Sequence, residues 1–496
     1  MLIKYIERNS AMKKLLCLVL SLLMIVPVSL VGCGGDGDDT TVPTITVDVK
    51  DERLPLDVPE VVIPEDKVFK IVGQGDGDGW KADDILCPEE DSDDVLESAK
   101  YTRYKNVEEM LGIEIDVYLN PTIYNTVQAS VQSNDKGFDL VFMTVDNASN
   151  AAISDLLYNI NDIESIKTES PWYDQGYVEG LSVGDEIYSL VTSVGIYDTY
   201  IMYILMYNKR LIQTYGLDDP YQMVKENRWT YDNFVAMLEG ISTDNGNSVW
   251  GPEDTYAFAA HPGSAGNFFY ASGLKICEKD DATNLPVMAV ENNSKAVALQ
   301  EKLIKLLFEE NTTMYAGVAG FAPSDCINAF MSGRLLFMGE IVGYLCTTFR
   351  EMEDDFGVVP YPKYDASQSR YYTTNDTVIN VMCVPRFIYT EEELEVLGTI
   401  TETICWESYY TVRPAFYEDV LGGKGTRDEG SYEMLDLCRE SRVYDFGLFN
   451  RSIDLSNLYR DLISNKTTKY SSTVKRNIKQ SQVALDEIIA SYTDNT

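Results

Sequence analysis

Histidine is almost missing from this chain: one residue, His261, in 496. Nine cysteines are present, but none forms a C-x-x-C pair. With so little imidazole and no paired thiols, zinc sites and Ser-His or Cys-His nucleophile pairs lose most of their raw material. Positive charge is scarce as well. Forty Lys and Arg stand against 79 Asp and Glu, a net charge of −39. Such a surface repels nucleic-acid phosphates and anionic lipid, and leaves neutral or cationic solutes as partners. Long apolar runs are missing too. The most extended, residues 15–31, is broken by Pro27 and is short of the about 20 residues that a bilayer span needs.

Catalytic and cofactor signatures are equally thin. There is no G-x-S-x-G. The S-x-x-K at Ser133–Lys136 lacks its companion motifs. "GQGDGDG", residues 73–79, fails the dinucleotide pattern, and Trp80 stands where a calcium loop needs a ligand. It reads as a turn after a first strand. No cofactor and no metal are expected. Acidic pairs suited to glycosidase work are always available among 79 carboxylates and single out nothing. The seven cysteines beyond Cys33 are odd in number and sit mostly in apolar stretches such as "VMCVP" and "TICWE". They read as small buried hydrophobes. His261, in "AAHPGSAGN", reads as a loop residue.

What is present begins at the front. Lys13 and Lys14 precede the apolar run, which ends at Gly32-Cys33. That order describes an export signal, with Met12 a fitting start and residues 1–11 an upstream extension. Leu30-Val31-Gly32-Cys33 resembles the lipobox of bacterial lipoproteins. The resemblance implies a signal peptide over 1–32, cut before Cys33, and a diacylglyceryl thiol. Acyl chains in pairs hold a soluble domain at a membrane where one chain does so marginally. Residues 33–66 are rich in Asp, Glu, Pro, Thr and Gly, too polar for a core, and read as a disordered acidic tether.

The remaining chain is long enough for two or three lobes. Residues 67–73 form a strand candidate, 93–111 a helix ending at Gly112, and 113–119 an alternating strand. A helix over 121–132 and a buried strand over 138–144 follow. Strand, helix, strand, helix, strand is the order of a parallel α/β sheet. Thr230 reads as an N-cap with Trp229 and Phe234 at the staple positions. Thr390 and Glu393 form a capping box ahead of an apolar stripe at Leu394, Leu397, Ile400 and Ile404. Residues 293–309 and 473–492 are helical by period.

Several segments then resemble the extracellular solute-binding proteins of bacterial ABC importers, sugar-type. "FDLVFM" (138–143), "SPWYDQ" (170–175) and "DEIYSLV" (185–191) are similar to successive segments of that family. The best match is "MYILMYNKRLIQTYGLDDP", with Tyr207, Asn208, Lys209, Gly216, Leu217 and Pro220, followed by Trp229 and Thr230. "FMSGRLLFMGE" (330–340), "DFGVVPYPKYDASQSRYYT" (355–373) and the stretch 408–447 extend it. The likeness covers about 67–492. One departure is the loop between Tyr188 and Ile201, which lacks the Gly-Asp pair of close relatives.

The resemblance implies an α/β, two-lobed periplasmic-binding-protein-like fold of type II, with discontinuous lobes and a hinge. The first lobe is expected over 67–199 plus 338–385, the second over 200–337 plus 386–496. It implies a monomer that is not an enzyme, lipid-anchored on the extracellular face of the membrane, with ABC permease subunits as partners. Its solute, a carbohydrate and on this reading an oligosaccharide, would lie between the lobes. Aromatic faces cover the C–H faces of sugar rings, and charged or amide groups bind the hydroxyls. Candidates at lobe junctions are Trp172, Tyr173, Trp250, Tyr270, Glu340, Tyr344, Asp376, Trp406 and Arg413. Two readings compete: the same fold holding a peptide, polyamine or other small cationic solute, and a cell-surface glycosidase.

Overall fold

The computed structural model describes residues 53–75, 84–88, 92–308, 312–317 and 320–493. The signal, Cys33 and most of the expected tether lie outside the described residues, as does most of the Gly-rich turn after the first strand. From Leu54 to Thr496 the chain forms one compact unit. Among the described residues, no helix is long and apolar enough to cross a membrane.

The expected strand–helix–strand order is present. β1 (Val68–Gln74), α1 (Val95–Leu111), β2 (Glu114–Asn120), α2 (Ile123–Ser133), β3 (Leu140–Thr144) and α3 (Val145–Ile153) follow one another. β1 pairs in parallel with both β2 and β3. α1 starts where Asp94 accepts the backbone N–H groups of Leu96 and Glu97, and stops at Gly112, whose φ of 66° suits glycine. The later β11 (Asn380–Cys383) adds antiparallel to β3, so the first sheet runs β11-β3-β1-β2.

The second sheet runs β10-β4-β9-β5-β8, from β4 (Tyr203–Asn208), β5 (Tyr256–Ala260), β8 (Thr313–Tyr315), β9 (Leu335–Ile341) and β10 (Phe356–Val359). A small hairpin, β6 (Cys277–Lys279) with β7 (Pro286–Met288), stands apart. α4 (Lys209–Tyr215) follows β4 directly, because the Asn208 side chain accepts the Leu211 N–H at 3.0 Å and Gly216 ends the helix with φ 64°. Trp229 is wholly buried, packs edge-on against Phe234 at 5.8 Å and donates its Nε1–H to the Pro360 carbonyl at 2.7 Å. The staple reading therefore holds for the ring pair. Thr230 is the N-cap by backbone only, its side chain making no capping bond.

Three segments cross between the sheets and bond to one another. Tyr203 N–H donates to Thr374 O, Asp376 N–H to Ile201 O, and Thr373 pairs with Arg442. These crossings correct the expected lobe boundaries. β9 and β10 belong to the second sheet, so the chain returns to the first near 373–376 rather than at 338. The long helix α5 (Glu391–Tyr410), expected in the second lobe, buries Leu397, Ile400 and Ile404 in one cluster with Phe69, Ile71 and Leu140 of the first sheet. Its apolar stripe fits that sheet's face, and its Thr390–Glu393 capping box is formed. A π-helical segment (Ala415–Gly425) and α6 (Glu429–Glu440) lead to the third crossing; α7 (Leu458–Ser464) and α8 (Tyr470–Thr493) close the chain.

The tether expectation also shifts. Leu54 is held by α5: its N–H donates to Tyr410 Oη at 2.7 Å, and Trp406 Nε1–H donates to its carbonyl at 2.8 Å. Ile63 packs on the first core cluster. The chain is thus docked from Leu54, not from about 67. Cys277, Cys326, Cys383, Cys405 and Cys438 are free and buried, as expected of small hydrophobes, Cys346 is partly buried, and Cys87 is exposed.

Candidate functional site

The parallel strands β5 and β9 end side by side, and β4 starts antiparallel against β9 at the same edge. Ligands of open α/β sheets bind outside such carboxyl ends. Here that edge meets the second crossing, Asn375 to Thr377, which leads into the first sheet. A small pocket of about 60 Å³, open to solvent, forms between them, lined by Tyr203, Asn267, Tyr270, Asn375, Asp376, Tyr459 and Arg460 among others.

Each wall has a local cause. After β5, His261 caps the helix Pro262–Ala271: its Nδ1 accepts the Gly263 N–H at 3.1 Å while its own N–H is taken by Ser264 Oγ at 2.9 Å. His261 is thus a helix cap at the pocket edge, not a free loop residue. Its Nε2 lies 3.3 Å from Glu340 Oε1, which comes from the end of β9. Tyr203 opens β4, leans on the imidazole at 6.1 Å and donates its phenol to Asp376 Oδ2 at 2.7 Å. Burial, followed by the Asp376 charge, pushes the Tyr203 phenol well up, so it stays a neutral donor. Tyr270 meets the ring of Tyr459 edge-on at 5.4 Å, and Tyr459 stacks on Phe269 at 4.1 Å. Arg460 is exposed on the rim and has no ion pair among the described residues. Beside the pocket, Arg451 donates to Thr377 Oγ1 at 3.3 Å and lies 3.5 Å from Asp146, in the first turn of α3. That pair joins the first-sheet side to the second.

The pocket therefore has a floor of buried aromatic rings and offers neutral amides and hydroxyls, a carboxylate and a guanidinium that makes no ion pair among the described residues. Among the described residues, no group of three or more His, Cys, Asp or Glu is placed to hold a metal.

Of the residues singled out by sequence, the structure brings together Tyr270, Asp376 and Glu340. Trp172, Tyr173 and Arg413 lie together elsewhere, in a groove beside the third crossing. There Trp172 Nε1–H and the Tyr173 phenol donate to the buried Glu402 carboxylate, the former at 2.9 Å. Trp250 is 38 % exposed and leans on Tyr256 near Lys302 and Lys305, far from the pocket in the fold. Tyr344 packs against Phe349 in the second core. Trp406 holds Leu54. Each of these three is held by packing or docking away from the pocket. The sequence reading missed Tyr203, His261, Asn267, Tyr459 and Arg460. The one signal available for the last two was "NLYRDL", a Tyr beside an Arg on a short helix.

A family model described as bacterial extracellular solute-binding protein matches residues 102–387, more than half of the chain. Among curated proteins, none matches. Solved structures do. A sugar transporter from Rhizobium etli, in an open conformation, aligns with a TM-score of 0.55 at 14% identity, covering 85% of this chain and 99% of its own. UspC of M. tuberculosis gives 0.54 at 13%, covering 84% and 100%. A cyclo/maltodextrin-binding protein complexed with maltotetraose gives 0.53 at 13%, covering 87% and 98%. At these identities the likeness establishes a shared two-lobed α/β fold.

Proposed function

Because this chain belongs to the bacterial extracellular solute-binding proteins, we propose that it captures a carbohydrate, an oligosaccharide, in the pocket at the second crossing and delivers it to an ABC permease. The observation that carries the reading is the lining: over a floor of buried Tyr270 and Tyr459 rings, Asp376 and Arg460 offer charged partners and Asn457 an amide for hydroxyls at the same opening. The names of the structural relatives, a maltodextrin-binding protein and a sugar transporter, point the same way. On this reading the lobes close over the solute by bending at the three crossings, and the closed form is favoured by contacts the open form lacks. Lipid on Cys33 would keep the lobes at the cell surface.

The acidic balance of the chain also suits a polyamine or cationic peptide, and one experiment separates the two. Protein lacking residues 1–33 is heated with a panel of neutral oligosaccharides and with spermidine, at low and high salt. A sugar is expected to raise stability by about 2.7 kcal/mol at 100-fold over Kd, independently of salt. A shift with spermidine alone, erased by salt, would replace sugar by a cationic solute.

A further inference from the structure

The groove beside the third crossing, about 670 Å³, shares no lining residue with the pocket at the second crossing and is the larger of the two. We propose that it is a second binding site for a neutral oligosaccharide, separate from the first.

Its two walls are aromatic. On one, Trp172 and Tyr409 meet at 6.4 Å, and Tyr409 stands edge-on to Tyr410 at 5.1 Å. On the other, Tyr417 and Tyr432 stand nearly perpendicular at 6.4 Å. The four tyrosines are half-buried, so their rings are fixed by packing and still present a face. Between the walls runs a buried charged floor. Arg442 pairs with Asp174 at 2.5 Å and with Asp198 at 2.6 Å, and Arg413 pairs with Asp198 at 2.8 Å. That floor is built and internally neutralised, yet Arg442 Nε, a buried donor, has no hydrogen-bond partner among the described residues. A buried donor left unpaired costs free energy that an acceptor would recover.

The charges that remain define the ligand. Arg439 pairs with Asp436 at 3.2 Å and covers one face of Tyr417 at 5.3 Å. Glu418 and Glu440, also in the groove, have no ion pair among the described residues. Free carboxylates accept from hydroxyls and reject phosphates and carboxylated solutes. Ring faces and carboxylate acceptors, with no unpaired cation among the described groove residues, exclude an anion and suit a polyol with apolar C–H faces, the cationic alternative being the spermidine arm of the test, and the volume admits several sugar rings. The walls come from both sides of the molecule. Trp172 packs on the first sheet's core, while α6 is held to the second-sheet side by the Glu433–Lys225 pair at 2.7 Å and by the Tyr221–Ser431 hydroxyl bond at 2.6 Å. The π-helical segment that carries Tyr417 is of a kind frequent at functional sites.

The test is hydroxyl-radical footprinting read by mass spectrometry on the chain without residues 1–33. The probes are maltotetraose, cellotetraose and xylotetraose at millimolar concentration, with spermidine as the cationic control. The proposal expects slower oxidation of Tyr409 and Tyr432, persisting in the pocket variant Arg460→Ala. Tyr432→Ala is expected to weaken groove binding about tenfold, the loss of one stacking platform, while the part-exposed pocket residue Leu448 responds as in the wild type. If that variant folds poorly, exposed Glu418→Gln, removing one charge-assisted acceptor, is expected to give a similar loss. Protection of the pocket residue Leu448 alone overturns the groove and leaves the first site standing. Protection of the groove alone does the reverse. No protection by any of the three sugars, or protection of the groove by spermidine only, overturns the proposal.

Discussion

Arg460 is exposed on the pocket rim and makes no ion pair among the described residues, so its removal separates binding from folding. Arg460→Ala is expected to leave the melting temperature unchanged and to weaken sugar binding about tenfold, as for the loss of one charge-assisted hydrogen bond; isothermal calorimetry beside a melting curve checks both. Trp229 is the opposite case. Wholly buried and bonded to Pro360, it contributes through packing, and Trp229→Ala is expected to cost about 3–5 kcal/mol in urea unfolding with little change in the affinity of what still folds. At this scale the sequence was partly legible. Glu340 sits where the recognisable strand β9 runs out, and Asp376 three residues past the recognisable stretch 355–373, so both positions could be read from motif ends. Tyr203, Asn267 and Arg460 could not be, because the pocket draws on four stretches that are distant along the chain, and no local pattern records which of them meet.

Helix α5 shows how an element joins sequence pattern to burial. Its capping box was readable because Thr390 and Glu393 act within one turn. The sheet that its stripe would cover was not, since several sheets offer an apolar face. Midway along it, Glu402 is buried, and burial raises its carboxyl to about 7 against the opposing bonds from Tyr173, Trp172 and Lys167 N–H. The folded chain then holds a proton that the unfolded chain has released. Stability from this group is present below about 4.5 and is lost as pH rises through 7. Wild-type unfolding free energy, measured against Glu402→Gln, is therefore expected to fall across that window. A flat difference would mean that Glu402 titrates normally.

The crossings govern the whole molecule. Asp198 lies between Arg413 and Arg442; burial pushes its carboxyl up, but the two guanidiniums outweigh it and hold it down at about 2. This contribution is present above 3.8 and is lost as pH falls toward 2, the opposite sign to Glu402. Asp198→Asn leaves two buried guanidiniums short of a partner and is expected to cost about 3–5 kcal/mol at neutral pH, with a smaller penalty in acid. Overall architecture was legible through the order of segments in a family. The boundaries were not, because β9 and β10 differ from first-sheet strands only in which neighbours they find.

One consequence concerns how such a molecule is born. Val381 of β11 bonds beside Met143 of β3, although all five strands of the second sheet are synthesised between them. A ribosome must therefore make nearly four fifths of the polypeptide before the earliest sheet can gain its edge strand, and the nascent chain stays unlocked for as long. Fragments ending ahead of Asn380 should accordingly be digested by protease within the first three strands, whereas chains extended past Thr493 should resist.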